Sequence, residues 1–140
     1  MELDGWKIRE LREADLPQVI SLWQEAGDYH DYLDTPPALV RVAEGGLFLV
    51  AEIENHIVGT VMGHYDGRMG FIARLAVVSD QRERGIATSL MREVERRLRE
   101  KGAPQASLLV WHTNAPAMSL YEKLGYELIE GVLYMRKRFI

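Results

Sequence analysis

Residues 71–102 read FIARLAVVSDQRERGIATSLMREVERRLREKG, and this run carries the strongest structural signal in the chain. Its first part, Phe71 to Val78, is mostly apolar and predicts a buried strand. A polar connection leads to Gly85, after which apolar residues recur at helical spacing until Gly102. The apolar face of this helix comprises Ile86, Ala87, Leu90, Met91, Val94 and Leu98. The run therefore predicts a strand, a glycine-containing turn and an amphipathic helix.

Strands and helices can be assigned on both sides of this run. Before it lie a strand at 6–11, a helix at 15–26, a loop at 28–34, a short helix from Thr35-Pro36 to about 45–46, and a hairpin of strands 47–53 and 57–65. After it lie a strand at 105–111, a helix capped by Asn114 and closed by Gly125, and one or two strands within 126–139. The order β α α β β β α β α β β is typical of a mixed sheet with helices on its faces. We predict an α+β fold.

Length and residue usage narrow the protein class. A chain of 140 residues fits one domain, 1–140. The absence of cysteine excludes disulfides, thiolate metal sites and a cysteine nucleophile. With neither a basic-then-apolar start nor an apolar run near 20 residues, we expect a cytoplasmic protein without a membrane partner. The four histidines lack paired ligand spacing, so we expect no metal.

Charge is divided unevenly along the chain. The net charge is −4, but residues 1–67 carry −9 and residues 68–101 carry +4. Adjacent acidic and basic blocks suit a cationic and an anionic ligand side by side, although the basic block can also be a solvated helix face. The acidic total argues against a nucleic-acid partner.

The turn Arg82-Glu83-Arg84-Gly85-Ile86-Ala87 is a candidate phosphate site. Free N–H groups and the positive dipole end at a helix N-terminus attract phosphate, and glycine allows close approach. The two arginines would add charge-assisted contacts. An ordinary strand-to-helix turn remains the alternative. Neither a Walker loop nor a dinucleotide fingerprint is present.

A second constellation is Asn114 with Tyr121, two helical turns apart. Taken alone, Asn114 is explained as a helix N-cap, and Tyr121 as a core aromatic with its hydroxyl at the edge.

Together, these pieces resemble the GNAT (GCN5-related N-acetyltransferase) family. The resemblance rests on Leu75-Ala76-Val77, the turn at 82–87, Asn114 with Ala117, and the run 120–126, LYEKLGY. Residues 59–67 resemble the small bacterial YpeA-type members. The family implies a three-layer α/β/α arrangement: a mixed, mainly antiparallel sheet of six to seven strands with about four helices on its faces. It leaves a homodimer possible.

The resemblance also implies roles for individual residues. Acetyl-CoA would be the co-substrate, its pantetheine arm paired with the backbone of Leu75, Ala76 and Val77. Its pyrophosphate would be wrapped by Arg82, Glu83, Arg84, Gly85, Ile86, Ala87 and Thr88, and Asn114 would contact the pantetheine region. Tyr121 would be the catalytic acid near the thioester sulfur. The segment holding Asp28, Tyr29, His30, Asp31, Tyr32 and Asp34 would line the acceptor side, and a solvated loop is its alternative.

The chain departs from the family at the catalytic base. Positions where some members carry glutamate are Phe71 and Leu109. An amine could lose its proton through water to His64, Tyr65, Glu52 or His112. We therefore expect direct acetyl transfer from acetyl-CoA to a primary amine of a small molecule, peptide or protein. The alternative is a CoA-binding regulatory or interaction module without catalysis.

Overall fold

A computed structural model describes residues 5–140, which fall into two compact units. Residues 5–109 are called the large unit here, and Val110–Ile140 the C-terminal unit. The large unit contains β1 (Lys7–Glu10), α1 (Leu16–Ala26), α2 (Pro36–Ala43), β2 (Phe48–Ile53), β3 (His56–Tyr65), β4 (Gly70–Val77), α3 (Ile86–Lys101) and β5 (Ala106–Leu108). Short 3₁₀ turns lie at Glu13–Asp15 and Ser79–Gln81, and α4 (Ala115–Lys123) lies in the C-terminal unit.

The five strands lie in the order β1-β2-β3-β4-β5. The first three pairings are antiparallel and the last, β4 with β5, is parallel. The predicted hairpin is confirmed. Its turn residues Glu54 and Asn55 both have positive φ (49° and 69°), the geometry of a two-residue turn that matches the strand twist.

Helices cover both faces of the sheet in the large unit. Trp23 of α1 hydrogen-bonds Thr60 on one face, and the adjacent Gly59 faces Leu90 of α3 on the other. Because neighbouring strand residues point to opposite faces, α1 and α3 lie on opposite sides. The predicted three-layer arrangement is confirmed.

Glycines in the sheet allow α3 to lie close to it. One ridge of α3 contains residues at i, i+4, i+8 and i+12, and its side chains occupy space that a Cβ at three glycines would fill. The distances from those Cβ positions are 3.0 Å for Gly59 to Leu90, 2.7 Å for Gly63 to Val94 and 3.2 Å for Gly70 to Leu98. Larger residues would push α3 away from the sheet.

The predicted count of six to seven strands is wrong for residues 5–140, which form five. The strand predicted at 105–111 is only Ala106–Leu108, because its parallel pairing ends at Ile72, just before a bulge in β4. Residues 126–139 form no strand. Their apolar pattern is interrupted by Gly131 at φ 84°, and a strand also requires a hydrogen-bonded neighbour.

The described helices are four α-helices, as predicted, and two 3₁₀ turns. Among residues 5–140, no helix combines the length and apolar composition that a bilayer crossing requires.

Candidate functional site

The edge of β4 that faces β5 loses its partner halfway along. The two strands pair from Gly70 to Ile72, whereas β4 continues to Val77 with no further ladder to β5. The stretch of β4 beyond this pairing includes Leu75, Ala76 and Val77. The Val77 carbonyl accepts a hydrogen bond from Arg82 Nε at 3.1 Å, which ties the end of the strand to the following loop.

A bulge shapes the same part of β4. Ala76 pairs with Thr60 and Ala73 with Met62, so β4 has one more residue than β3 between these pairs. Arg74 within the bulge has φ 57°, a left-handed conformation that costs roughly 1–2 kcal/mol for a residue with a side chain. The surrounding contacts must offset that cost.

Thr60 anchors the bulge from the neighbouring strand. Its fully buried hydroxyl donates to the Arg74 carbonyl at 2.8 Å and accepts from Trp23 Nε1 at 2.9 Å. One hydroxyl thus joins α1, β3 and the bulge. Sequence analysis did not identify this group, because a single threonine in an apolar strand gives no signal of its partners.

The predicted phosphate-binding turn forms the N-terminus of α3. Gly85 occupies the N-cap with φ 96°, and its carbonyl accepts from the Ser89 N–H at 3.0 Å. Among residues 5–140, no side chain caps this end. An α-helix has no internal acceptors for its first N–H groups, here those of Ile86, Ala87 and Thr88, and such groups are of the kind that binds anions in proteins.

The loop before Gly85 carries charge on exposed side chains. Arg82, Glu83 and Arg84 are all exposed, and Glu83 has φ 64°. The Arg84 guanidinium lies 5.6 Å from the centre of the buried Trp6 ring and hydrogen-bonds Gln81. The predicted residues 82–88 are therefore brought together at one turn.

The predicted acceptor segment lies between α1 and α2, and its aspartates differ. Asp31 is exposed, Asp28 is half-buried, and Asp34 is only 3% exposed. Asp34 Oδ2 accepts from Arg74 at 2.8 Å and from the His30 N–H at 2.8 Å. Its charge is thus balanced inside the protein, which leaves Asp28 and Asp31 as the aspartates able to face a ligand. An arginine within the apolar strand 71–78 was the available sequence signal for a buried ion pair.

Two of the candidate bases have different surroundings. Glu52 accepts from Arg9 at 3.1 Å, so its charge is already compensated. His64 is half-buried beside Phe71, with ring centres 6.3 Å apart, and burial lowers the pKa of its imidazole. A lowered pKa keeps His64 neutral at neutral pH, the form that can accept a proton.

In the C-terminal unit, Asn114 is the N-cap of α4. Its side-chain oxygen accepts from the Ala117 N–H at 3.2 Å, which confirms the capping interpretation. Tyr121 lies on α4, with its ring 5.9 Å from that of Tyr126 in an edge-to-face contact. His112 lies in this unit, before α4. Within residues 5–140, no group of three or more acidic, cysteine or histidine side chains is arranged to hold a metal ion.

Comparison with known proteins gives concordant matches. The model of the acetyltransferase (GNAT) family matches residues 7–126. An acetyltransferase of Sodalis glossinidius (strain morsitans) is 38% identical over 136 residues, covering 96% of each chain. Two crystal structures share the fold: Ard1 from Thermoplasma volcanium (TM-score 0.79, 23% identity, 89% of this chain and 84% of that one) and the PaiA N-acetyltransferase from Thermoplasma acidophilum in complex with coenzyme A (TM-score 0.77, 21% identity, 89% and 91%).

Proposed function

The chain belongs to the GNAT acetyltransferase family, and from this premise we propose that it transfers an acetyl group directly from acetyl-CoA to a primary amine. The observation that carries the proposal has two parts. The N-terminus of α3 has no side-chain cap among residues 5–140, and the preceding strand, β4, continues beyond the point where its pairing with β5 ends. The first feature suits a pyrophosphate and the second suits an extended amide-containing arm.

The pyrophosphate would bind at residues 82–88. The N–H groups of the first turn and the helix dipole supply a positive field, and Arg82 and Arg84 add charge. Gly85 at φ 96° keeps the backbone accessible where a side chain would be strained. The fold neighbour from Thermoplasma acidophilum, whose structure holds coenzyme A, supports this co-substrate.

The pantetheine arm would pair with β4 from Leu75 to Val77. Its amides need backbone partners of a kind that a strand edge offers, and the pairing of β4 with β5 ends at Ile72. A backbone N–H near Val77 would then stabilise the oxyanion formed at the thioester carbonyl. Asn114 would contact the same arm, by its match to the family motif.

The reaction needs no covalent enzyme intermediate. The neutral amine attacks the thioester carbon, and the tetrahedral intermediate collapses to break the C–S bond and release the CoA thiolate. Tyr121, assigned by its place in the family motif at 120–126, would protonate that thiolate. The proton lost by the amine would pass through water to His64, whose lowered pKa favours the neutral base.

The acceptor would approach from the segment 28–34. The exposed Asp31 and half-buried Asp28 would attract a protonated amine, in keeping with the net charge of −9 over residues 1–67. Small molecules, peptides and proteins all offer such an amine.

The family match spans the boundary at Leu109, which supports one catalytic domain, 1–140. We place this domain in the cytoplasm.

A screen of amine classes would test the function. Release of CoA thiol is followed for polyamines, amino acids, aminoglycosides and peptides, and mass spectrometry identifies the acetylated product. Turnover with at least one class is expected. Binding of acetyl-CoA without turnover of any class would favour the CoA-binding module instead, an alternative to which the Phe71 and Leu109 positions lend support.

A further inference from the structure

A buried ion pair joins the segment 28–34 to the bulge of β4. Arg74 donates to Asp34 at 2.8 Å, and the side chains of the two residues are 16% and 4% exposed. The partners are 40 residues apart in the chain. The pair therefore connects the proposed acceptor side with the strand proposed to carry acetyl-CoA.

Arg74 is held at both ends. Its carbonyl accepts from Thr60, while its guanidinium lies 5.2 Å from the centre of the Trp23 ring. Trp23 is fully buried and hydrogen-bonds the same Thr60. The backbone of Arg74 is thus bonded to Thr60, and its guanidinium lies over a buried ring. Arg74 therefore offers Asp34 a partner that is constrained at both ends.

Hydrogen bonds within residues 30–34 surround Asp34, the partner of Arg74. Asp34 Oδ2 accepts from the His30 N–H, and the His30 carbonyl accepts from the N–H groups of Leu33 and Asp34 at 3.1 and 2.8 Å. These bonds form one compact turn. Because Asp34 carries both the turn and the link to Arg74, the position of the turn is set by the bulge.

Stability alone is a poor reason for such a pair. Removing two charges from water costs about as much as their attraction returns, so the pair adds little net stability, and we take its role here to be the fixing of one arrangement. The arrangement specified here is the position of the turn 30–34 relative to Arg74, the residue that precedes Leu75 in β4.

We propose that Asp34 and Arg74 are positioning residues. Their ion pair fixes the segment 28–34 relative to β4, so that the amine approaches the thioester in one geometry. This inference rests on the proposed acetyl transfer. Asp34 acts through Arg74 and the turn, not by contact with the amine.

Asp15 offers a matched control. Like Asp34, it is a buried aspartate that accepts from an arginine guanidinium and from one backbone N–H. Arg9 donates to it through two hydrogen bonds, of 2.7 and 3.0 Å, and the Arg12 N–H donates at 2.7 Å. Its partners lie on β1 and in the turn before α1, not on β4. Asp34→Asn and Asp15→Asn each remove one charge while keeping the shape.

The kinetic test compares both variants with an acceptor found in the screen. We expect Asp34→Asn to raise the acceptor KM about tenfold or more, because a displaced segment 28–34 moves Asp28 and Asp31 away from the amine that they are proposed to attract. Its acetyl-CoA KM should stay within twofold. Asp15→Asn should lower Tm similarly but leave both KM values unchanged. Equal acceptor KM for the two variants would overturn the inference.

A double-mutant cycle with Arg74→Met tests the pair itself. If the residues act together, Asp34→Asn/Arg74→Met should raise the acceptor KM no more than Arg74→Met alone. Multiplied effects would mean independent action and would overturn the pairing.

Hydrogen exchange separates failure of this inference from failure of the proposed function. The amides of residues 30–34 should exchange at least tenfold faster in Arg74→Met than in wild type, with no such change in Asp15→Asn. Unchanged exchange would refute the coupling even if the enzyme is active. Faster exchange in a protein that acetylates no amine would support the coupling and reject the transferase function.

Discussion

Thr60→Val tests the anchoring of the β4 bulge most directly. The substitution preserves the shape of the side chain but removes the hydroxyl that donates to the Arg74 carbonyl and accepts from Trp23 Nε1. Trp23 Nε1 then loses its acceptor in the fully buried core, and the carbonyl of the half-buried Arg74 loses its donor at the same place. An unsatisfied buried polar group costs about 1–3 kcal/mol, so the two together should cost roughly 2–6 kcal/mol.

This loss would be large for a small protein. The free energy of unfolding of such proteins is usually about 5–15 kcal/mol, and 1 kcal/mol corresponds to roughly 3–5 °C in Tm at this length. Thermal unfolding should therefore show a fall in Tm of about 6 °C or more. The bulge at Arg74 would also relax, and calorimetry should find weaker binding of acetyl-CoA.

Thr60→Ser is the matched control, because it keeps the hydroxyl and removes only a methyl group. Its Tm should fall far less than that of Thr60→Val, and its affinity for acetyl-CoA should stay near wild type. If the two variants melt within about 2 °C of each other, the hydroxyl does not anchor the bulge and the reasoning fails.

Four further predictions concern α3 and the proposed chemistry. Gly85→Val should weaken acetyl-CoA binding at least tenfold in calorimetry, because φ 96° strains a branched residue at the phosphate turn; a folded variant with an unchanged Kd would reject that turn. Tyr121→Phe should lower turnover about 10²- to 10⁴-fold with little change in Tm, and wild-type turnover with chemistry rate-limiting would assign the proton to another donor. Gly63→Ala should lower stability by about 1–3 kcal/mol in urea unfolding, since its Cβ would lie 2.7 Å from Val94; unchanged stability would mean that α3 shifts freely. Hydrogen bonds from Arg96 and Arg97 lower the pKa of the Glu93 carboxyl to about 2. The stability that the charged carboxylate contributes is therefore fully present above the unfolded pKa near 4.5 and is lost as pH falls toward 2. Glu93→Gln should flatten the dependence of the unfolding free energy on pH between these values, and an unaltered slope would contradict the prediction.

The sequence predicted those parts of the fold that depend on local pattern. The amphipathic periodicity of α3 and its glycine ends at Gly85 and Gly102 gave its bounds. The polar residues Glu54, Asn55 and His56 between two apolar runs indicated the hairpin. These features are fixed by residues a few positions apart, so one sequence suffices to identify them.

The remaining features depend on partners that are distant in sequence. The predicted strands in 126–139 failed because an alternating pattern does not say whether a neighbouring strand pairs with it. The contacts of Asp34 with Arg74 and of Thr60 with Trp23 bridge 40 and 37 residues. The predicted site residues were placed by family motif, whereas these supporting contacts required the structure.

The glycines beneath α3 give the sheet control over the direction in which that helix points. Gly59 and Gly70 contact Leu90 and Leu98, eight residues or about 12 Å apart along the axis. Raising the Leu98 end by about 1 Å would tilt the helix axis by roughly 5°. With Leu90 as the pivot, the N-terminus would move by about 0.5 Å in the opposite direction. Residues at the C-terminal end of α3, remote from the proposed phosphate turn, thus influence the direction in which the helix dipole points.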